Sequence, residues 1–137
     1  MLYITRRERF SAAHKLWNLN ISEEENNKLF DKCAYPNYHG HNYDLYITVA
    51  GEIDKISGYV IDAKILKTII FDKILSKVDH RNLNVDVEFL KGINPTSENL
   101  IVAFWKELKP EINTDTRKLY KIKLYETENN IAEYYGN

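Results

Sequence analysis

A chain of 137 residues can bury a core as one domain, and 44% hydrophobic against 28% charged residues is a globular composition, not a disordered one. The net charge of −1 excludes a polybasic field for nucleic acid or an anionic membrane. No run approaches the roughly 20 apolar residues of a membrane helix, MLYITRRERF is charged where a secretory signal is apolar, and Cys33 is the only cysteine, with no intrachain partner.

The expectation is a cytoplasmic, soluble, single domain over residues 1–137. Residues 2–10 read as a strand. Ser22 to Lys32 reads as a short helix, with Ser22 and Glu25 at capping-box spacing. Residues 39–50 are the clearest strand: His39, His41, Tyr43, Leu45, Ile47 and Val49 share one face by the two-residue period, and the alternate positions are more polar. Gly51 marks a turn and Tyr59–Ile61 a short strand. Residues 63–77 repeat Ile65, Leu66, Ile69, Ile70 and Ile74 at helical spacing. Pro95, Thr96 and Ser97 start a helix that runs to about Leu108, with Pro110 closing it. Residues 118–126 alternate, with Tyr120, Ile122 and Leu124 on one face, and a last strand at 131–135 pairs back across Asn129-Asn130, where asparagine tolerates positive φ. This order predicts an α+β domain, an antiparallel sheet with helices on one side.

His39-Gly40-His41 is the sharpest chemical feature. Histidines two apart on a strand project from the same face, neutral imidazoles suit zinc, and a catalytic zinc takes three protein ligands and keeps one position open. His14, after the first strand, is the natural third ligand. By itself the pair reads equally well as two packed histidines beside a turn. Cys33, six residues before His39, sits among polar neighbours rather than in an apolar run, and its thiol needs an imidazole or cation nearby to become a nucleophile. Asp79-His80 offers such an imidazole with a carboxylate partner, although a histidine near a helix C-terminus has an electrostatic explanation of its own. Glu126 continues the apolar face of its strand. It is therefore either an inward carboxylate that accepts two N–H bonds from a guanidine-like heterocycle edge, or a solvated residue past the strand end.

Five blocks occur in order: Phe10-Ser-Ala-Ala-His14; Cys33 before His39-Gly-His41-Asn42-Tyr43; Val78-Asp79-His80-Arg81-Asn82-Leu83; Pro95-Thr96-Ser97-Glu98-Asn99; and Tyr125-Glu126-Thr127-Glu128-Asn129-Asn130. Together they resemble the 6-pyruvoyl-tetrahydropterin synthase family, which includes the bacterial 6-carboxytetrahydropterin synthases. The resemblance implies the T-fold (tunnelling fold), a four-stranded antiparallel sheet with two helices, assembled as trimers that close a barrel and stack into a homohexamer. It implies zinc on His14, His39 and His41, with Cys33 as the general base or acid and Asp79 and His80 as its relay. Glu126 would hold the pterin's amino-pyrimidine edge, helped by Thr96, Ser97 and Thr127. Because the family's active sites lie between subunits, Cys33 and the Asp79-His80 pair are expected from different chains.

The implied substrate is 7,8-dihydroneopterin triphosphate. The five residues between Cys33 and His39 resemble the pyruvoyl branch, so the expectation is a lyase of the tetrahydrobiopterin-type pathway that forms the pyruvoyl product. Asn94-Pro95-Thr96-Ser97-Glu98 looks like the carboxy branch, which releases acetaldehyde and feeds queuosine synthesis. Two other readings compete: an inactive pterin- or purine-binding module, and a generic zinc hydrolase with no need of Cys33.

Overall fold

A computed structural model describes residues 1–137. Strands β1 (Leu2–His14) and β2 (His39–Gly51) pair antiparallel along their whole length, from Leu2 opposite Gly51 to His14 opposite His39. β1 thus runs four residues past the expected Phe10. Ser11, Ala12 and Ala13 are small, and Phe10, Ala12 and His14 continue one buried face. That extension is what brings His14 level with His39.

A two-residue strand, β3 (Arg81–Asn82), adds in parallel to β1 at Ala12 and Ala13. On the other side, β4 (Arg117–Tyr125) pairs with β2 and β5 (Ile131–Tyr134) with β4, both antiparallel. The order is β3-β1-β2-β4-β5, so the expected four antiparallel strands carry one short parallel addition and the sheet is mixed.

Helix α1 (Glu23–Phe30) is capped by Ser22, whose hydroxyl accepts the Glu25 N–H at 3.0 Å. It stops two residues short of Lys32, and Asp31–Ala34 follows as a 3-10 turn. Helix α2 (Ala63–Ile70) continues through a π-helical turn, Phe71–Leu75, to Val78. Helix α3 (Ser97–Ile112) starts at the Thr96 cap and passes through Pro110. Proline in the last turn forfeits only one intrahelical N–H, so the helix ends at Asn113, whose N–H bonds Lys109 O, and not at the proline.

One face of the sheet packs under α2 and α3. Tyr43 lies flat on Phe10 (centroids 4.6 Å, planes 9° apart), and Phe104 of α3 meets Phe10 edge-on at 6.0 Å. Leu45, Ile47, Leu66, Ile70, Leu100 and Leu108 complete a solvent-free interior. At one end of this same face the apolar run gives way to His41, His39 and His14. No helix is long and apolar enough to cross a membrane.

Three local expectations are corrected. In the β2–β4 ladder, Thr48 faces Lys121 but Val49 faces Leu119, so Tyr120 is an unpaired bulge residue. Leu119 is therefore the buried partner of Ile122 and Leu124, and Tyr120 stacks near Tyr3 (4.6 Å) and Tyr135 (5.7 Å). Residues 59–61 form no strand: Val60 and Ile61 are buried, but the segment bends back, with Asp54 N–H donating to Tyr59 O at 2.8 Å. The β4–β5 connection needs no positive φ at Asn129 or Asn130. Thr127 Oγ1 accepts both of their N–H groups at 3.2 Å, and Glu126 N–H donates to Asn130 O at 3.0 Å.

Candidate active site

Register and alternation together assemble the centre. His14 lies opposite His39, Ala12 opposite His41, and the two-residue period points all three imidazoles to the helix-covered side. Ring centroids stand 4.6 Å (His14–His39), 5.1 Å (His14–His41) and 5.0 Å (His39–His41) apart, close to perpendicular in two of the three pairs. One ligand atom from each ring lies within 4.8 Å of the others. Gly40 between them has room for a Cβ at ordinary contact, 3.5 Å from Ala12 O, so packing within the chain does not itself require glycine there.

The donor chemistry fits a metal ion. His14 Nδ1 lies 2.8 Å from Pro95 O, and a carbonyl only accepts, so Nδ1 carries the proton and Nε2 keeps its lone pair. His39 Nδ1 and His41 Nε2 are buried with no hydrogen-bond partner. Orphaned polar atoms are costly in an interior unless a ligand engages them. Burial pushes the His14 pKa down to about 4, against the opposing pull of the Pro95 bond, and burial also lowers that of His39. Both rings are held neutral, the form that binds zinc.

Glu126 sits one residue past the end of β4, yet it is not a free solvated side chain. Its carboxylate lies 3.9 Å from both His14 Nε2 and His41 Nε2 and accepts the Ser97 hydroxyl at 3.2 Å. Glu126, Ser97, Thr96 and Leu16 line a cleft of about 740 Å³ between the start of α3 and β5. Thr96 Oγ1 is already engaged as helix cap, accepting Asn99 N–H at 3.2 Å.

The other expected residues lie elsewhere. Cys33 is half-buried in the 3-10 turn and stands outside the histidine cluster, but its carbonyl accepts Leu16 N–H at 2.7 Å, two residues beyond His14. Asp79 and His80 form a pair at 2.9 Å and clip onto β1: Ser11 N–H donates to Asp79 Oδ1 and His80 N–H to Ser11 O. They line a separate depression with Ser11, Asn42, Asp44 and Thr127, on the side of the sheet away from the buried imidazoles. A single chain does not bring this pair, or Thr127, to the histidines.

Sequence reading missed the asparagines that hold the backbone after His14. Asn84 accepts Lys15 N–H and donates to Lys15 O, Asn94 accepts Trp17 N–H, and the fully buried Asn26 does for Asn18 what Asn84 does for Lys15. The only sequence signal was an unusual density of asparagine in polar connections.

A family model described as 6-pyruvoyl tetrahydropterin synthase matches residues 3–137. The chain belongs to this family. It is 44% identical over 133 residues to the Homo sapiens 6-pyruvoyl tetrahydrobiopterin synthase, covering 97% of this chain and 90% of that protein. Identity to the Dictyostelium discoideum protein of the same name is 42%, with 97% and 95% covered. The solved structure of Caenorhabditis elegans 6-pyruvoyl tetrahydropterin synthase superposes with a TM-score of 0.91 at 40% identity, over 99% of this chain and 96% of that one. The T-fold architecture is thereby established, and the histidine cluster is the metal site of a synthase of this family.

Proposed function

We propose that this chain is a zinc-dependent lyase that converts 7,8-dihydroneopterin triphosphate to 6-pyruvoyl-tetrahydropterin and triphosphate, working as a single domain over residues 1–137. One observation carries the reading: three imidazoles converge at the end of the sheet beside a carboxylate that opens into a cleft. The relatives over 40% identical, named for this pyruvoyl chemistry, agree with the Cys33–His39 spacing in choosing the branch.

His14, His39 and His41 would hold zinc, which when bound supplies Lewis acidity toward the substrate's side-chain hydroxyls. Glu126 orients the substrate: its oxygens accept the paired N–H groups of the amino-pyrimidine edge, with Ser97 steadying the carboxylate. Thr96 shapes the cleft as the helix cap, and Thr127 sets the turn that carries Glu126. Cys33 Sγ takes a proton from side-chain carbon. Triphosphate leaves with the electrons of its C–O bond, and the proton returns at a neighbouring position. The oxidation change stays within the substrate, so electrons balance without a redox cofactor.

The Asp79-His80 pair serves Cys33 of a neighbouring subunit in a trimer, two of which stack as a homohexamer. Its position on the sheet side away from its own chain's histidines supports this reading. Cys33→Ala tests the assignment: triphosphate release should fall by at least about a thousandfold with zinc retained. Normal turnover by that variant refutes the thiol's role.

A further inference from the structure

Three non-glycine residues have left-handed backbone, Asp31, Tyr38 and His80, and Tyr38 (φ +66) is the bulkiest of them. A side chain with a large ring is strained there unless its surroundings hold it, and such strain gathers where geometry matters. What holds Tyr38 is visible. The Lys15 ammonium lies 5.1 Å from the Tyr38 ring centroid and 4.7 Å from that of Trp17, one cation shared by two π faces.

Lys15 is itself fixed. Asn84 bonds both its N–H (2.9 Å) and its carbonyl (3.0 Å), and Asn94 accepts the N–H of Trp17 at 3.0 Å. Between them, Leu16 N–H donates to Cys33 O at 2.7 Å. The strip Lys15–Trp17, directly after His14, therefore grips the Cys33–Tyr38 loop twice, at the Cys33 carbonyl and at the Tyr38 ring. Two turn bonds, Tyr35 N–H to Lys32 O and Tyr38 N–H to Tyr35 O, brace the loop along its own stretch of chain.

We propose that Tyr38 is a positioning residue, whose ring, seated on Lys15, fixes the course of the loop and so the place of the Cys33 thiol. Its kinetic consequence rests on the role given to Cys33 above; its mechanical consequence does not.

The test uses the zinc-loaded full chain with Tyr38→Phe, Tyr38→Gly and Lys15→Met. Glycine accepts this φ freely, so Tyr38→Gly removes the ring without endangering the fold. Two readouts are followed: the rate of Cys33 alkylation by iodoacetamide under native conditions, and kcat and KM separately. Tyr38→Phe keeps the π face and should match wild type in both. Tyr38→Gly and Lys15→Met should raise the alkylation rate about fivefold or more, and lower kcat about tenfold with KM and zinc content little changed. Wild-type alkylation and kcat in Tyr38→Gly would overturn the proposal, as would Tyr38→Phe and Tyr38→Gly losing kcat equally. If wild type releases no triphosphate but the alkylation order holds, the positioning stands and the chemistry assigned to Cys33 falls.

Discussion

The His14 ring is held by the Pro95 carbonyl, 2.8 Å from Nδ1, at a position 1% exposed. This contact joins the last residue of β1 to the segment that starts α3, and it fixes which nitrogen is free. The same segment supplies Ser97 to Glu126. One short stretch, Pro95–Ser97, thus orients a metal ligand from behind and the cleft carboxylate from the side, as outer-shell partners of metal sites commonly do.

The first prediction concerns metal content. Purified protein should carry about one zinc per chain, and His14→Ala, His39→Ala or His41→Ala should each weaken zinc binding at least about a hundredfold, because each removes one of three ligands. Elemental analysis with chelator competition measures both. Full zinc occupancy in all three variants would contradict the site.

The second concerns pH and the metal-free protein. Folded His14 titrates near 4, whereas in the unfolded chain it titrates near its ordinary 6.5. Between those values the unfolded state binds the extra proton, so stability is full above about pH 6.5 and falls as pH drops toward 4. The loss attributable to this ring is roughly 3 kcal/mol, from about 1.4 kcal/mol per pH unit. Urea unfolding of apo wild type and His14→Gln from pH 7 to 4 checks it: the variant should show the shallower pH dependence.

A third prediction tests the packing that supports the site. Phe104 is fully buried, and it meets both Phe10 and Phe89. Phe104→Ala should cost about 3–5 kcal/mol, read from the shift of the urea midpoint.

Much of the site was legible because metal ligation leaves regular marks. His39 and His41 announce their shared face by strand alternation, and His14 was placed by the block that ends β1. What could not be read depends on contacts distant in sequence. The Tyr120 bulge follows from β4's pairing with β2, not from β4's own alternation, which pointed to the wrong face. Pro95's hold on His14 spans 81 residues, and a carbonyl has no sequence signature. Glu126 was ambiguous because its strand does end at Tyr125; the Asn130–Glu126 turn bond, together with Ser97, keeps the carboxylate at the cleft beyond the ladder.

The fourth prediction separates substrate orientation from metal binding. Glu126→Gln keeps the size but loses the charge and one acceptor, so affinity for a pterin such as neopterin should fall about ten- to a hundredfold. Zinc content should be unchanged, since the three histidines suffice. Calorimetry with parallel elemental analysis measures both.

The central claim is that zinc on His14, His39 and His41 serves pyruvoyl-forming elimination. Mass spectrometry of the products after zinc-loaded protein meets 7,8-dihydroneopterin triphosphate tests it most directly. The expected products are stoichiometric triphosphate and 6-pyruvoyl-tetrahydropterin. A carboxypterin with acetaldehyde would contradict the assigned branch, and unchanged substrate would contradict the activity itself.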